Sequence, residues 1–234
     1  MILGQRWDLR LRLLVNYLNQ WPGSYVTSPP GDGPYPTLIL LHDRFGQSKD
    51  VREMANSLAT RGYVVCCVDM FSGDRTSDMN EAQRFMSLVN DEAATKEVVK
   101  AYEKLRTLKN VKKERIGVMG MGYGGRIAFR AAAELPGLRA GAAWYPDQLP
   151  ADSLLQRVAA NFLVVHPTSS SSQPTPLAEQ FSQTLMQQGV RAENVLVIGE
   201  AGFVDPANGP AYSANATADA LRTTLNFLDR VLKL

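Results

Sequence analysis

The chain has 234 residues, of which 45% are hydrophobic and 21% charged, and its 25 basic and 23 acidic side chains leave a net charge of +2. This composition is typical of a soluble globular protein, and the length fits one α/β domain over residues 1–234. The basic residues are spread along the chain, so nothing indicates nucleic acid as a partner. No apolar run of about 18 residues occurs, so the sequence predicts no membrane span and a cytoplasmic location.

Few residues suggest redox or metal chemistry. The two cysteines, Cys66 and Cys67, are adjacent in an apolar segment. Because successive side chains of a strand point to opposite faces, they are predicted to be buried thiols rather than a disulfide. No cluster of histidine, cysteine and aspartate has the spacing of metal ligands, so no metal site and no other cofactor is predicted.

The pattern of apolar residues predicts an α/β fold. Residues 7–15 alternate in a way that favours a strand, although a short helix also fits, and residues 23–28 are predicted as a second strand. Further strands are predicted over residues 37–42, 63–69, 115–119, 138–145, 161–166 and 194–198. Helices are predicted over residues 50–61, 80–89, 92–108, 124–135 and 176–188, the last with Thr175 as N-cap, and over residues 214–232 after an N-cap at Ser213. This alternation predicts a mostly parallel sheet covered by helices on both faces.

A glycine-dense turn joins the strand at residues 115–119 to the helix at residues 124–135. Strand, sharp turn and helix are the setting of the G-x-S-x-G nucleophile elbow of α/β-hydrolases. Gly120 and Gly124 match the flanking glycines of that motif. The residue between them is Gly122, which has no side chain and therefore cannot supply a nucleophilic oxygen or sulfur.

Taken in order, these features resemble the dienelactone hydrolase family over residues 23–232. Residues 36–46 are similar to the family's first core strand and oxyanion loop, and residues 61–70 to its next strand. Residues 120–125 are similar to its Gly-x-Cys-x-Gly-Gly elbow, and residues 199–203 to its Gly-x-His-Gly-Phe motif. The resemblance implies an α/β-hydrolase fold and a hydrolase active site with a catalytic triad.

The residues at the three triad positions differ from the family pattern. The resemblance puts Gly122 in place of the nucleophile, Ala201 in place of the histidine base and Ser170 in the loop that carries the acid. The loss of any one triad member lowers the rate by orders of magnitude, so a non-catalytic protein is predicted. The two histidines, His42 and His166, each follow a buried strand and are predicted to be structural.

The backbone part of such a site does not depend on the lost side chains. By the same resemblance, the N–H groups of Arg44 and Tyr123 form the oxyanion hole at the N-terminus of a helix, where negative charge is favoured. A small anionic ligand is therefore predicted, with a protein partner as the alternative if Met121 and Tyr123 fill the cleft. The predicted ligand-binding residues are Asp43, Arg44, Phe45, Gly122, Tyr123, Glu200 and Phe203.

Two other functions fit parts of the sequence. The first is hydrolysis of a small ester or lactone by a rearranged site, in which Tyr123, Glu200 or a histidine activates water. The second is dinucleotide binding, because Gly120-x-Gly122-x-x-Gly125 matches G-x-G-x-x-G between a strand and a helix, and Asp147 follows the next strand. That motif lies after two core strands, whereas a dinucleotide-binding motif usually opens its domain.

Overall fold

The computed structural model describes residues 24–168 and 175–234. Two predictions lie outside the described residues, namely the strand or helix over residues 7–15 and the loop position of Ser170.

The described chain is built around a twisted, mostly parallel sheet. Its strands are β1 (Tyr25–Thr27), β2 (Tyr35–Leu41), β3 (Val64–Val68), β4 (Val111–Met121), β5 (Ala140–Trp144), β6 (Asn161–Thr168) and β7 (Ala192–Ile198). Within the described ranges they form seven strands in the order β1-β3-β2-β4-β5-β6-β7. β1 pairs antiparallel with β3, and the other pairings are parallel. The predicted α/β-hydrolase type of sheet is confirmed.

Helices connect the parallel strands. They are α1 (Lys49–Thr60), α2 (Met79–Leu88), α3 (Asp91–Leu105), α4 (Tyr123–Glu134), α5 (Asp152–Leu155), α6 (Pro176–Gln187) and α7 (Ala214–Leu228), with a 3₁₀ segment at Pro206–Ala211. The four-residue α5 was not predicted because it is too short to show a helical period. A regular last helix was predicted to residue 232, but α7 ends at Leu228 and is followed by a π-helical turn over Asp229–Lys233. Among these described segments, no helix is long and apolar enough to cross a membrane.

The sheet separates two apolar cores. Residues of α3 and α4 pack on one face, and residues of α1 and α7 pack on the other. Cys66 lies in the first core and Cys67 in the second, both as free, fully buried thiols. Burial raises the pKa of Cys66 to about 12. The prediction of two buried thiols on opposite faces is therefore confirmed.

The predicted N-cap at Ser213 is present. Its Oγ accepts a hydrogen bond from the Ala216 N–H at 3.2 Å, which satisfies one of the free donors at the start of α7. We expect Ser213→Ala to lower the free energy of unfolding by about 1 kcal/mol, measured by urea denaturation. The matched control is Ser57→Ala, at an exposed position inside α1, where alanine favours the helix. Equal losses in the two variants would contradict the capping role.

Candidate functional site

The turn between β4 and α4 has the backbone of a nucleophile elbow. Gly122 joins the two elements with φ 50° and ψ −116°, a conformation that side chains disfavour and glycine adopts readily. Its N–H donates to the Trp144 carbonyl at 2.9 Å, and its own carbonyl accepts from the Gly125 N–H at 2.9 Å. The chain therefore turns sharply from the strand end into the first turn of α4.

The flanking glycines allow α4 to pack directly on backbone. A Cβ on Gly120 would collide with the Gly124 carbonyl, and a Cβ on Gly124 would lie 2.5 Å from the Leu41 carbonyl oxygen and 2.6 Å from that of His42. Both positions thus require glycine because strand and helix backbones touch. This contact accounts for Gly120, the first glycine of the G-x-G-x-x-G pattern, and a Cβ on Gly125, the third, would lie 3.2 Å from the Cβ of Pro146. Packing thus accounts for both glycines without a dinucleotide.

The carboxylate of Asp43 occupies the position above Gly122. Its Oδ1 accepts from the Arg44 N–H at 2.7 Å and from the Tyr123 N–H at 3.2 Å. A Cβ on Gly122 would collide with Oδ1 and would lie 2.5 Å from Oδ2. The two N–H groups expected to form the oxyanion hole therefore bind a side chain of the same chain and are not free for a ligand. The missing side chain of Gly122 leaves the space that makes this possible.

Asp43 is a buried carboxylate with an unusual environment. The residue is 6% exposed, and within the described residues its Oδ2 has no hydrogen-bond partner. Burial raises the pKa of Asp43 to about 6, opposed by the Arg44 cation and by the two backbone N–H donors. The Arg44 Nε lies 4.0 Å from Oδ1 and has no hydrogen-bond partner among the residues the structure describes. Both the protonated and the ionised form of the Asp43 carboxyl are therefore populated near neutral pH.

A cleft of about 500 Å³ opens beside the elbow. Of the predicted site residues, Arg44, Gly122, Glu200 and Ala201 line it, so the positions matched to the nucleophile and the base border one space. The other lining residues are Tyr145, Pro146, Asp147, His166, Pro167, Thr168, Thr175, Leu177, Ala178 and Gly199. Most of the lining is apolar, with the charged groups at separate points.

Three aromatic residues that were predicted to bind the ligand do not line the cleft. Phe45 and Tyr123 are each 1% exposed, and Phe203 is fully buried. Tyr123 begins α4 on the side that faces the sheet, so its ring packs in the core, 5.8 Å from the ring of Phe71. Phe203 packs with its ring centroid 4.9 Å from that of Tyr145. These three residues pack in the core next to the site. Neither Tyr123 nor the buried Met121 fills the cleft.

The two histidines differ in their access to the cleft. His42 Nε2 accepts from the Met70 N–H at 3.0 Å, and Nδ1 donates to the Asp43 carbonyl at 2.8 Å, so both ring nitrogens are used. Burial lowers the pKa of His42 and keeps it neutral. His166 donates from Nε2 to Asn194 Oδ1 at 3.0 Å and borders the cleft. Burial also lowers the pKa of His166.

Sequence reasoning missed the ion-pair cluster behind the site. The guanidinium of Arg126 lies 3.4 Å from Asp91 and 3.5 Å from Asp147, and it covers the Tyr123 ring at 4.9 Å. Asp147 was considered as part of a dinucleotide-binding pattern, and in the structure it pairs with Arg126. The position of Arg126 in the first turn of α4, three residues after Tyr123, was the available signal. In the described ranges no three metal-ligating side chains converge.

Comparison with known proteins agrees with this architecture. Proteins of Yersinia pestis and Escherichia coli K12, both named "Putative carboxymethylenebutenolidase", are similar in sequence. The first is 26% identical over 228 residues, covering 87% of this chain and 82% of the relative. The second is 25% identical over 226 residues, covering 88% of this chain and 81% of the relative.

Solved structures show the same fold at low sequence identity. The dienelactone hydrolase of Anabaena variabilis superposes with a TM-score of 0.67 at 19% identity, over 89% of this chain and 91% of that one. A dienelactone hydrolase-like promiscuous phosphotriesterase from metagenomic libraries gives a TM-score of 0.75 at 18% identity, over 89% and 92% of the two chains. The model of the dienelactone hydrolase family matches residues 23–232. The chain belongs to the dienelactone hydrolase family.

Proposed function

We propose that this chain is a non-catalytic member of its family and that its elbow cleft binds a small anionic ligand. The observation that carries the proposal is the Asp43 carboxylate, which stands above Gly122 and accepts from the Arg44 and Tyr123 N–H groups. One side chain thus takes both the space of a nucleophile and the donors of an oxyanion hole.

Acyl transfer requires features that this arrangement removes. A nucleophile must attack the carbonyl carbon, and preorganised donors must stabilise the negative oxygen that develops. Gly122 offers no nucleophile and Ala201 no imidazole, and the two donors already bind Asp43 Oδ1. An oxyanion formed here would also meet the negative charge of Asp43 at close range, which is unfavourable in a buried site.

The cleft supports a binding role. Its volume of about 500 Å³ is that of a small-molecule site, and its mostly apolar lining suits an apolar ligand body. Arg44 borders this space, and its Nε has no hydrogen-bond partner among the described residues. A guanidinium in such a position recognises a carboxylate. A carboxylic acid with an apolar body fits these groups best.

The alternative of a rearranged hydrolase has two supporting observations, because His166 and Glu200 both border the cleft. The Nε2 of His166 is engaged with Asn194. Tyr123 is less suited to activate water, because it is buried and burial raises its pKa far above the usual range. Asp43 also occupies the two N–H donors that would have to polarise the substrate carbonyl for attack by water. The geometry therefore favours binding over hydrolysis.

We expect the wild-type protein to show no hydrolysis of p-nitrophenyl acetate or of a dienelactone above the protein-free background. The positive control is the double variant Asp43→Ala, Gly122→Cys, which frees the two donors and supplies a thiol. It should release a burst of about one equivalent of p-nitrophenol as the thiol is acylated. Wild-type turnover that disappears in His166→Ala would contradict the non-catalytic proposal and support the rearranged site. If no small molecule binds, the protein-partner role becomes the one to test.

A further inference from the structure

We infer that the protein has a second binding site, a cavity at the opposite edge of the sheet from the elbow, and that this cavity binds a small oligophosphate anion. Four cationic side chains line it, those of Arg106, Lys113, Arg115 and Arg139, and we call it the basic cavity. It shares no lining residue with the elbow cleft, so the inference is independent of the proposed function.

The basic cavity lies where β4 and β5 begin, whereas the elbow cleft lies where these strands end. Arg106 is the C-cap of α3, Lys113 and Arg115 belong to the first part of β4, and Arg139 directly precedes β5. Cations that are separated along the chain are therefore gathered by the fold around one space. The sequence shows them only as scattered basic residues.

A break in the pairing of β2 with β4 presents two of these cations. Residues 112–115 of β4 have a single residue of β2 opposite them. Extra residues of this kind form a bulge, which turns side chains away from their regular positions in the sheet. The side chain of Arg115 is held in place because its Nη1 donates to the Val231 carbonyl at 3.1 Å. The bulge thus brings Lys113 and Arg115 to the cavity.

Nearby acids do not neutralise the four cations. Within the described ranges none of them forms an ion pair with a carboxylate, although Glu114 also lines the cavity. By contrast, the exposed cations Lys49, Lys96 and Arg222 each pair with an acid about one helical turn away. The negative end of the α3 dipole accounts for Arg106, but not for the cations of β4 and β5. The cavity therefore keeps an unbalanced positive charge, which attracts anions.

One wall of the basic cavity consists of a buried tyrosine and a glycine. Tyr102 is 4% exposed, and the guanidinium carbon of Arg106 lies 5.5 Å from the centroid of its ring. A Cβ on Gly137 would collide with the Tyr102 hydroxyl oxygen. The missing side chain of Gly137 therefore leaves room for this hydroxyl, which adds a neutral hydrogen-bond donor to the cations.

A small oligophosphate matches this set of groups. Guanidinium groups bind phosphate oxygens through two parallel N–H donors, and an ammonium group adds a point charge. The volume of about 470 Å³ is that of a small-molecule site. Because the cations come from separate elements, they require several anionic groups on one ligand, and linked phosphates supply these within a short length. A free oligophosphate and the phosphate chain of a nucleoside triphosphate share this chemistry.

The test measures the binding of tripolyphosphate by titration calorimetry at about pH 7.5 and about 50 mM salt, where surface charges are weakly screened. We expect one site, with affinity at least about tenfold lower in Arg106→Gln and in Arg139→Gln. The matched control is Arg75→Gln, which removes an exposed cation from the loop after β3 and should have no effect. Equal losses in Arg75→Gln and Arg139→Gln would overturn the site.

Three further anions define the ligand class. Inorganic phosphate and citrate should each bind at least about tenfold more weakly than tripolyphosphate, because the first has too few anionic groups and the second has carboxylates. Citrate that binds as tightly as tripolyphosphate would overturn the assignment to phosphates. ATP that binds more tightly than tripolyphosphate would assign the site to a nucleotide, and equal affinities would assign it to the phosphate chain alone.

A variant that gains affinity separates ligand binding from a structural role. Glu114 is exposed, and Glu114→Gln should tighten tripolyphosphate binding by about threefold because it removes a negative charge from the cavity. In the wild type, tripolyphosphate should shift the NMR amide signals of Arg106 and Arg139 and leave those of Arg44 and Tyr123 unchanged. Shifts confined to Arg44 and Tyr123 would place the anion at the elbow and overturn the inference. The absence of tripolyphosphate binding would also overturn it.

Discussion

Replacing Gly122 with serine is expected to lower the free energy of unfolding by about 3 kcal/mol or more. The new Cβ would enter the space of the Asp43 carboxylate, colliding with Oδ1 and lying 2.5 Å from Oδ2 and Cγ. It would also adopt a backbone conformation with φ 50° that side chains disfavour. Denaturant unfolding of the purified variant measures the loss.

A comparison with a second glycine distinguishes the energy of backbone strain from the energy of the collision with Asp43. Gly209 has φ 56° and ψ −117°, close to the φ 50° and ψ −116° of Gly122. A Cβ added to Gly209 meets nothing within 4 Å. Gly209→Ser should therefore lose only the strain energy, about 1–2 kcal/mol. The additional loss in Gly122→Ser measures the conflict with Asp43.

A double-mutant cycle completes this test. In an Asp43→Ala background, the loss caused by Gly122→Ser should fall to that of Gly209→Ser, because the colliding carboxylate is absent. The expected coupling energy between the two positions is about 1–2 kcal/mol. If Gly122→Ser is as harmful with Asp43 removed as with it present, the two residues are not linked as the structure indicates.

Replacing Asp43 with asparagine is expected to stabilise the protein at neutral and alkaline pH and to have little effect in acid. The folded state raises the pKa of Asp43 from 3.8 to about 6, so the native protein holds this proton more tightly than the unfolded chain does. The stability contributed by the protonated carboxyl is complete below the unfolded pKa and is lost as pH rises through about 6. A difference of about 2 in pKa corresponds to roughly 3 kcal/mol.

The matched measurement follows unfolding of both proteins across pH. The two should have similar stability at about pH 4, and Asp43→Asn should exceed the wild type by up to about 3 kcal/mol at about pH 8, or roughly 10 °C in Tm. Burial lowers the pKa values of His42 and His166, and both proteins contain these histidines. Their contribution is therefore removed when the free energies of unfolding of the two proteins are subtracted. A difference that is constant over this range would mean that Asp43 titrates normally in the folded protein.

Much of the fold could be predicted because the signals are local. Continuous apolar runs marked the buried parallel strands, and Thr175 and Ser213 marked helix starts through hydrogen bonds to backbone three residues on. The elbow was recognisable because glycines at positions 120 and 124 are imposed by contacts between strand and helix backbones. Helix ends were less certain, as the π-helical turn after Leu228 illustrates.

The side-chain arrangement of the site could not be predicted in the same way. Whether Asp43 turns towards the elbow depends on the space left by Gly122, which lies 79 positions away in sequence and touches it only in the folded chain. Tyr123 was expected in the cleft because it neighbours Gly122, but the register of α4 directs its ring to the core. The available clue was the combination of a glycine at the position matched to the nucleophile and an aspartate in the segment matched to the oxyanion loop.

The most direct test of the account is the titration of the Asp43 carboxyl carbon by NMR, assigned by comparison with Asp43→Asn. We predict that it titrates at a pKa of about 6 and that the amide protons of Arg44 and Tyr123 shift over the same pH range, because both donate to this carboxylate. A titration near the usual value of 3.8, with these two amide signals unmoved, would contradict the account. In that case the two donors would not be held by Asp43, and the elbow would be open to substrate.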